Sequence, residues 1–276
     1  CSDALIKAKV KKVVIPNLDP NPLVAGKGVE ALRAVGIEVE VGVETEKAMQ
    51  LNEIFFHYIT HKRPYVILKW AMSLDGKTMT HVKDSRQISC LETQVHAHEL
   101  RRQVDAILVG ANTALRDNPK LTARLDKNNA HLEKQPLRII LANQNKLPLD
   151  LHVFTSQLPG KTLLVTTDAS HDTWYKPIIG QSVELLVLPK NTRGQVDLTC
   201  LLDEIGKRSI TSLLVEGGMT VQHDFMQEEL VNKFHVYLAN KIIGTLEKKQ
   251  DPLQVSMEKL GTDFHFTGYF EEKKHV

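Results

Sequence analysis

The feature that most constrains this chain is its alternation of short, strongly apolar runs with longer segments of helical periodicity. Apolar runs at 106–109 (AILV), 137–142 (LRIILA), 162–166 (TLLVT), 183–188 (VELLVL) and 212–215 (SLLV) have the length and branching of strands. Between and around them, 91–103, 198–207 and 221–228 carry helical patterns. Strands that alternate with helices predict an α/β fold whose mostly parallel or mixed sheet is covered by helices on both faces.

The first sixty residues read as a smaller unit of the same kind. Residues 2–9 predict a capped helix, 12–16 a strand, 17–27 a Pro/Gly-rich loop, 28–35 a helix and 37–43 (IEVEVGV) a strand of period two. Ala48, Leu51, Ile54, Phe55 and Tyr58 form one helical stripe over 44–60. This piece is too small to hold a complete core, and His61-Lys62-Arg63-Pro64 marks its boundary. A second unit then opens with a strand at 65–71 and a turn at Leu74-Asp75-Gly76, and closes its sheet with 234–239 and 263–270. No internal repeat or low-complexity segment is present.

At 276 residues the chain has room for one large domain or two ordinary ones. Its net charge is only +2 and its basic residues are dispersed, which argues against a nucleic-acid partner. No apolar stretch reaches the roughly 18–20 residues of a membrane span. Three unclustered cysteines, Cys1, Cys90 and Cys200, suit a reducing cytoplasm better than a disulfide framework. A leading cysteine also begins mature lipoproteins, but residues 2–8 read as an ordered first helix and not as a polar tether, so the expectation is a truncated N-terminus.

Three stretches carry chemistry. Glu216-Gly217-Gly218-Met219-Thr220 lies between an apolar strand and a helix, where paired glycines admit a ligand to the backbone and the helix N-terminus faces an anion. It is neither G-x-G-x-x-G nor a P-loop. Leu108–Pro119 again runs from an apolar strand into small and polar residues, with Thr113 and Asp117 able to reach a ribose or an amide. Arg101 and Arg124 offer planar forks suited to phosphate or carboxylate. In the third stretch, 68–78, Lys69 sits in an apolar strand and requires an anionic partner or a functional reason. His57/His61 and His96/His98 lack a nearby third ligand for a metal, and no G-x-S-x-G elbow is present.

Taken in order, RPYVILKWAMSLDGKT, DAILVGANTALRDNPKLTAR, QPLRIIL, SLLVEGG and YLANKIIG resemble the reductase domain of the bifunctional riboflavin-biosynthesis deaminase–reductase family over about 64–268. The resemblance implies a dihydrofolate-reductase-like domain over 63–271. That domain uses NADPH to reduce the ribose of 5-amino-6-(5-phosphoribosylamino)uracil to a ribityl chain. It implies Lys69 and Glu216 as catalytic residues. It also places Ala71, Thr113, Asp117, Asn143 and Gln87, with Gly218, Met219, Thr220, Val221, Gln222, His223 and Asp224, against NADPH. Ser85, Arg101, Leu121, Arg124 and Glu216 surround the substrate, with the arginines toward its phosphate. The family further suggests a homo-oligomer with no nucleic-acid or membrane partner.

Upstream, residues 1–43 resemble the end of the family's zinc deaminase domain, a cytidine-deaminase-like α/β unit, so that 1–62 reads as its remnant. Cys1 is then the last of three zinc ligands, and the H-x-E segment and the first cysteine are absent from these residues. One ligand cannot hold a catalytic zinc, and no deaminase activity is expected. Departures from the family at Gln87, Ala142-Asn143, Met219 and 81–84 fall in the cofactor shell and predict weaker NADPH binding. Two other readings stay open: a catalytically silent nucleotide-binding relative, and another pyrimidine or pterin reductase on the same fold.

Overall fold

The computed structural model describes residues 1–78, 88–124, 134–155, 158–169, 171–180, 182–243, 253–260 and 263–269. In chain order the elements are α1 (Ser2–Lys7), β1 (Lys12–Ile15), α2 (Lys27–Ala34), β2 (Glu38–Val41), α3 (Thr45–Leu51), α4 (Glu53–His61) and β3 (Tyr65–Ser73). Next come α5 (Leu91–Gln103), β4 (Ala106–Gly110), α6 (Ala111–Asp117), β5 (Leu137–Asn143), β6 (Thr162–Thr166), α7 (His171–Tyr175) and β7 (Val183–Val187). They close with α8 (Leu198–Lys207), β8 (Ser212–Gly217), α9 (Met219–Gln227), β9 (Lys233–Ala239), β10 (Leu253–Leu260) and β11 (Asp263–Tyr269). The chain divides into two compact units, Cys1–Tyr65 with Leu188–Leu213, and Val66–Val187 with Leu214–Val276.

In the first unit β1 and β2 pair in parallel, Val13 opposite Val39 and Ile15 opposite Val41. The period-two pattern turns Val39 inward onto Val29, Leu32 and Ile37, with Leu5, Ile6, Val10, Val13 and Ile15 packed around them. It turns Glu38 and Glu40 outward, where Lys12 bridges both at 3.0 and 2.8 Å. The first helix is shorter than its pattern, and its cap is the Cys1 backbone carbonyl, which accepts from Ala4 at 3.1 Å, with no side-chain cap.

The stripe over 44–60 does not make one helix. It breaks at Asn52 (φ −113°, ψ 22°), whose side-chain amide donates to the Ala48 carbonyl at 3.0 Å while its own N–H bonds the same carbonyl at 3.1 Å. An asparagine that competes for the local backbone in this way ends a helix that apolar spacing alone would continue. Beyond the break, Tyr58 donates to the Gly206 carbonyl at 3.0 Å, Tyr65 to Glu53 at 2.9 Å, and Arg63 grips Asp203 through two bonds of 2.6 and 3.0 Å.

The second unit is built on a seven-stranded sheet of order β7-β6-β5-β4-β8-β3-β9. The β3–β9, β4–β5, β5–β6 and β6–β7 pairs run parallel. Every residue of β4 and β6 is buried, as strands sheathed on both faces require. The terminal strand β9 instead alternates, leaving Phe234 66% exposed. Arg138 lies within the apolar β5 at 1% exposure, its guanidinium donating to Thr162 Oγ1, Pro159 O and Gly160 O at 2.7–3.0 Å. Burial lowers its pKa to about 10, and the three acceptors make this arginine of the QPLRIIL run a tie between β5 and the chain around β6.

Two elements differ from the periodicity. The segment 263–270 does not join the large sheet: β11 pairs antiparallel with β10, and the two stand as a sheet of their own. A short terminal hairpin satisfies its ladder locally, so an alternating run does not reveal which sheet receives it. Helix α9 begins at Met219, two residues ahead of its apolar pattern, because Gly218 (φ 77°, ψ 115°) turns the chain straight out of β8.

Two glycine substitutions should move stability in opposite directions. A Cβ on Gly206 would run into the Lys62 carbonyl oxygen, so Gly206→Ala should destabilise by about 1–3 kcal/mol or more. Gly28, inside α2, meets nothing within 4 Å, so Gly28→Ala should stabilise by up to about 1 kcal/mol. Urea unfolding of the two variants checks both signs.

Candidate active site

The strand order turns back between β4 and β8. From β4 the chain proceeds outward through β5, β6 and β7, then returns to insert β8 beside β4. In open α/β sheets such a reversal leaves a crevice at the carboxyl ends of the strands, and the residues singled out from the sequence gather there.

Glu216, near the end of β8, is the anchor. Its carboxylate takes a two-pronged grip from Arg101 of α5, Nε at 2.6 Å and Nη2 at 2.8 Å, with both side chains at least 85% buried (6% and 15% exposed). Burial alone would raise the Glu216 pKa, but the Arg101 charge and hydrogen bonds outweigh it, Lys69 and His98 add to them, and the carboxyl falls to about 2. Arg101 is likewise held above its ordinary value by Glu216 against the pull of its own burial. Lys69 Nζ lies 3.8 Å from Glu216 Oε2, which supplies the anion its place in an apolar strand demanded.

Lys69 is further framed by Tyr237 of β9, whose ring lies 5.7 Å from Nζ. The Tyr237 hydroxyl meets His96 Nδ1 at 2.6 Å, and burial together with the nearby Glu216 charge raises its pKa. Behind the strand, the Gln222 amide donates to the Lys69 carbonyl at 3.0 Å, tying α9 to β3.

On the other side of Arg101 the backbone is reversed at Leu121, buried at 3% exposure yet left-handed at φ 51°. A non-glycine residue there is strained, and such residues cluster at ligand clamps. The turn brings in the Thr122 carbonyl, which accepts from Arg101 Nη1 at 3.2 Å and meets His98 Nδ1 at 3.1 Å. Arg124 Nη2 stands 3.3 Å from His98 Nε2. Burial, then the Arg101 and Arg124 charges, lower His98 to about 4.

The strand-to-helix turns after β4 and β8 interlock. A Cβ on Gly217 would sit 2.8 Å from Thr113 Cγ2, and one on Gly110 would sit 2.8 Å from Val221 Cγ2. Thr113 Oγ1 also lies 3.3 Å from where a Gly218 Cβ would stand. Glycine at these positions thus lets the two turns and the start of α9 pack directly against one another, with the Thr113 hydroxyl beside Gly218.

The remaining candidates are more scattered. Ala71 faces Tyr237 across the β3–β9 ladder. Asp117, the last residue of α6, is exposed, as are Met219 and Thr220, while Asp224 is buried. Asn143 ends β5 left-handed at φ 52°, its carbonyl accepting from Thr166 Oγ1 at 2.6 Å. Val221 packs toward Gly110. His223 lies on α9. Asp75 accepts from Ser73 Oγ at 2.6 Å and from the Ile243 N–H at 3.0 Å, which makes it the holder of its turn. Ser85 and Gln87, with 81–84, lie outside the described residues. Nothing in the sequence singles out Tyr237, and His96 and His98 stand out there only as a possible metal pair. The i, i+3 spacing of His98 and Arg101 on α5 is the signal that could have found one of them.

No group of three His, Cys, Asp or Glu side chains able to hold a metal occurs among the described residues. Cys1 is exposed, and His57 and His61 stack ring on ring at 4.4 Å. The described residues do not fit a catalytic zinc.

A sheet of this order, with a buried charge cluster at its reversal point, defines an α/β domain whose candidate site lies at the carboxyl ends of its strands. The chain belongs to the RibD family: residues 64–267 match the RibD C-terminal domain. It is 41% identical over 244 residues to the riboflavin biosynthesis protein RibD of Aquifex aeolicus, covering 88% of this chain and 65% of that one. With the RibD of Actinobacillus pleuropneumoniae it shares 39% over 251 residues, 90% of this chain and 64% of the relative. The chain thus spans slightly less than two thirds of these relatives' length. Among solved structures, a Thermotoga maritima diaminohydroxyphosphoribosylaminopyrimidine deaminase/5-amino-6-(5-phosphoribosylamino)uracil reductase superposes with a TM-score of 0.72 at 32% identity, over 97% of this chain and 73% of that one. No helix among the described residues is long and apolar enough to cross a membrane.

The charge cluster sets the response to acid. Glu216 is depressed when folded, so its contribution is complete above its ordinary 4.5 and is lost as pH falls toward about 2. His98 is also depressed, so its contribution is complete above 6.5 and is lost as pH falls toward about 4. Melting temperatures should therefore decline between pH 6.5 and 4, and His98→Asn should flatten that window. Glu216→Gln, which leaves a buried guanidinium without its counter-charge, should cost about 3–5 kcal/mol at neutral pH.

Proposed function

We propose that this crevice binds NADPH and 5-amino-6-(5-phosphoribosylamino)uracil and reduces the ribosyl carbon C1′ to give the ribitylamino product. The observation that carries this reading is the Lys69–Glu216–Arg101 cluster beside the glycine turn that opens α9, in a chain of the RibD family. The reductase comprises about 63–271, and 1–62 corresponds to part of a deaminase-like domain. The working form is a homo-oligomer of the cytoplasm.

The residues present fit the nucleotide. The Gly217–Gly218 backbone and the N-terminus of α9 would hold its pyrophosphate, and the Thr113 hydroxyl would bond its amide or ribose. Bound there, NADPH supplies a hydride to C1′. Opening of the ribose leaves its ring oxygen in need of a proton, which the Lys69 ammonium donates, so that one hydride and one proton are added to the substrate. Glu216 remains ionised and therefore serves as a counter-charge: it directs Lys69 and fixes Arg101. Arg124 takes the substrate phosphate, for which a planar, permanently charged fork is suited.

The test is anaerobic oxidation of NADPH by the phosphoribosylaminouracil. Substrate-dependent oxidation is expected, and its absence would overturn the reading. Lys69→Met should lower kcat by about 10²–10⁴-fold, and near wild-type turnover would remove Lys69 from the chemistry. Arg124→Ala should raise KM for the phosphorylated substrate while sparing kcat. Gly217→Ala, whose Cβ presses on Thr113 and Val109, should raise KM for NADPH, as measured by titration of NADPH at saturating substrate.

A further inference from the structure

His98 takes no direct part in the reaction just described, yet the neighbours of its ring determine the state of both nitrogens. Thr122 O is only an acceptor, so the 3.1 Å contact at Nδ1 requires the proton there. Arg124 is only a donor, so the 3.3 Å contact of its Nη2 with Nε2 requires a bare lone pair there. The two contacts together specify one neutral tautomer. Charged groups around the ring are Arg101 from its own helix, Glu216 from β8 and Arg124 from the segment after Leu121.

We propose that His98 is the positioning residue for Arg124, a neutral bridge from the Thr122 carbonyl to the guanidinium that sets where the substrate phosphate docks. The proposal rests on the reading of Arg124 as the phosphate ligand. The bridge is anchored twice. Arg101 holds the same Thr122 carbonyl at 3.2 Å while gripping Glu216, so the carbonyl is fixed by the pair at the heart of the site. The left-handed turn at Leu121, φ 51° in a buried leucine, is what aims that carbonyl at α5. His98 also stands beside two guanidinium groups without adding a charge, consistent with burial and both arginines pushing its pKa down to about 4. The catalytic end of the site and the phosphate end are thereby joined through one peptide carbonyl and one imidazole.

Two replacements separate the ring's two contacts. His98→Asn retains a donor near the Nδ1 position for Thr122 and ends short of Arg124, whereas His98→Gln carries an acceptor out to the reach of Nε2. Steady-state kinetics with the phosphoribosylaminouracil and saturating NADPH should give His98→Asn a KM raised about tenfold or more with kcat within about twofold. His98→Gln should recover most of the loss. In an Arg124→Ala background, His98→Asn should add nothing, because a bridge acts only through what it holds. A merely structural role would lower the melting temperature and move kcat with KM, and would add to Arg124→Ala. Either that pattern or an unchanged KM in His98→Asn, with Arg124→Ala still impaired, would overturn the proposal alone. An unchanged KM in Arg124→Ala itself would instead overturn the phosphate reading, and the bridge with it.

Discussion

The buried pair of Glu216 and Arg101 is the interaction on which the rest of the site depends. Either charge alone in that position would be prohibitively desolvated, and only the two-pronged geometry, 2.6 and 2.8 Å, makes both tolerable. The pair fixes α5 against the end of β8. It also keeps an anion beside Lys69, and it lends a third guanidinium nitrogen to the Thr122 carbonyl. A buried ion pair is weak evidence for stability in itself. Here its value lies in registry: three elements distant in sequence are brought to one point with their charges already assigned.

Much of the fold was legible in the residues because burial on both faces leaves a plain mark. The runs AILV, TLLVT and SLLV are strands of the central sheet, each almost wholly buried. Where burial is partial the pattern misleads. The stripe over 44–60 obeys helical spacing throughout, and a single asparagine amide interrupts it. The terminal segment alternates like any strand, and nothing in alternation says that it closes on its neighbour and not on the sheet.

The site divides along similar lines. Lys69 was conspicuous because a lysine in an apolar strand needs an explanation, and the explanation, Glu216, lies far along the chain at 3.8 Å. Arg101 and Arg124 were visible as forks, but not the division between them, with Arg101 committed to Glu216 while Arg124 stands against His98. The contact of Tyr237 with His96 is not legible, because an aromatic on an edge strand and a histidine on a helix carry no spacing in common. Only the parallel register of β3 and β9, with Lys69 opposite His235 and Tyr237 one step further along the same face, brings Tyr237 to the ammonium, and His96 is met through the Tyr237 hydroxyl.

The interlocked turns after β4 and β8 have a consequence for how such a chain can vary. Gly110 on one turn receives a branched side chain, Val221, from the helix of the other, and Gly217 on the second receives Thr113 from the helix of the first. Each glycine is thus the socket for its neighbour's peg, and the exchange is reciprocal. Neither turn is free to change by itself: a larger residue in one socket requires a smaller peg on the opposite helix. The two loops, more than a hundred residues apart in sequence, are thereby one packing unit at the carboxyl ends of β4 and β8.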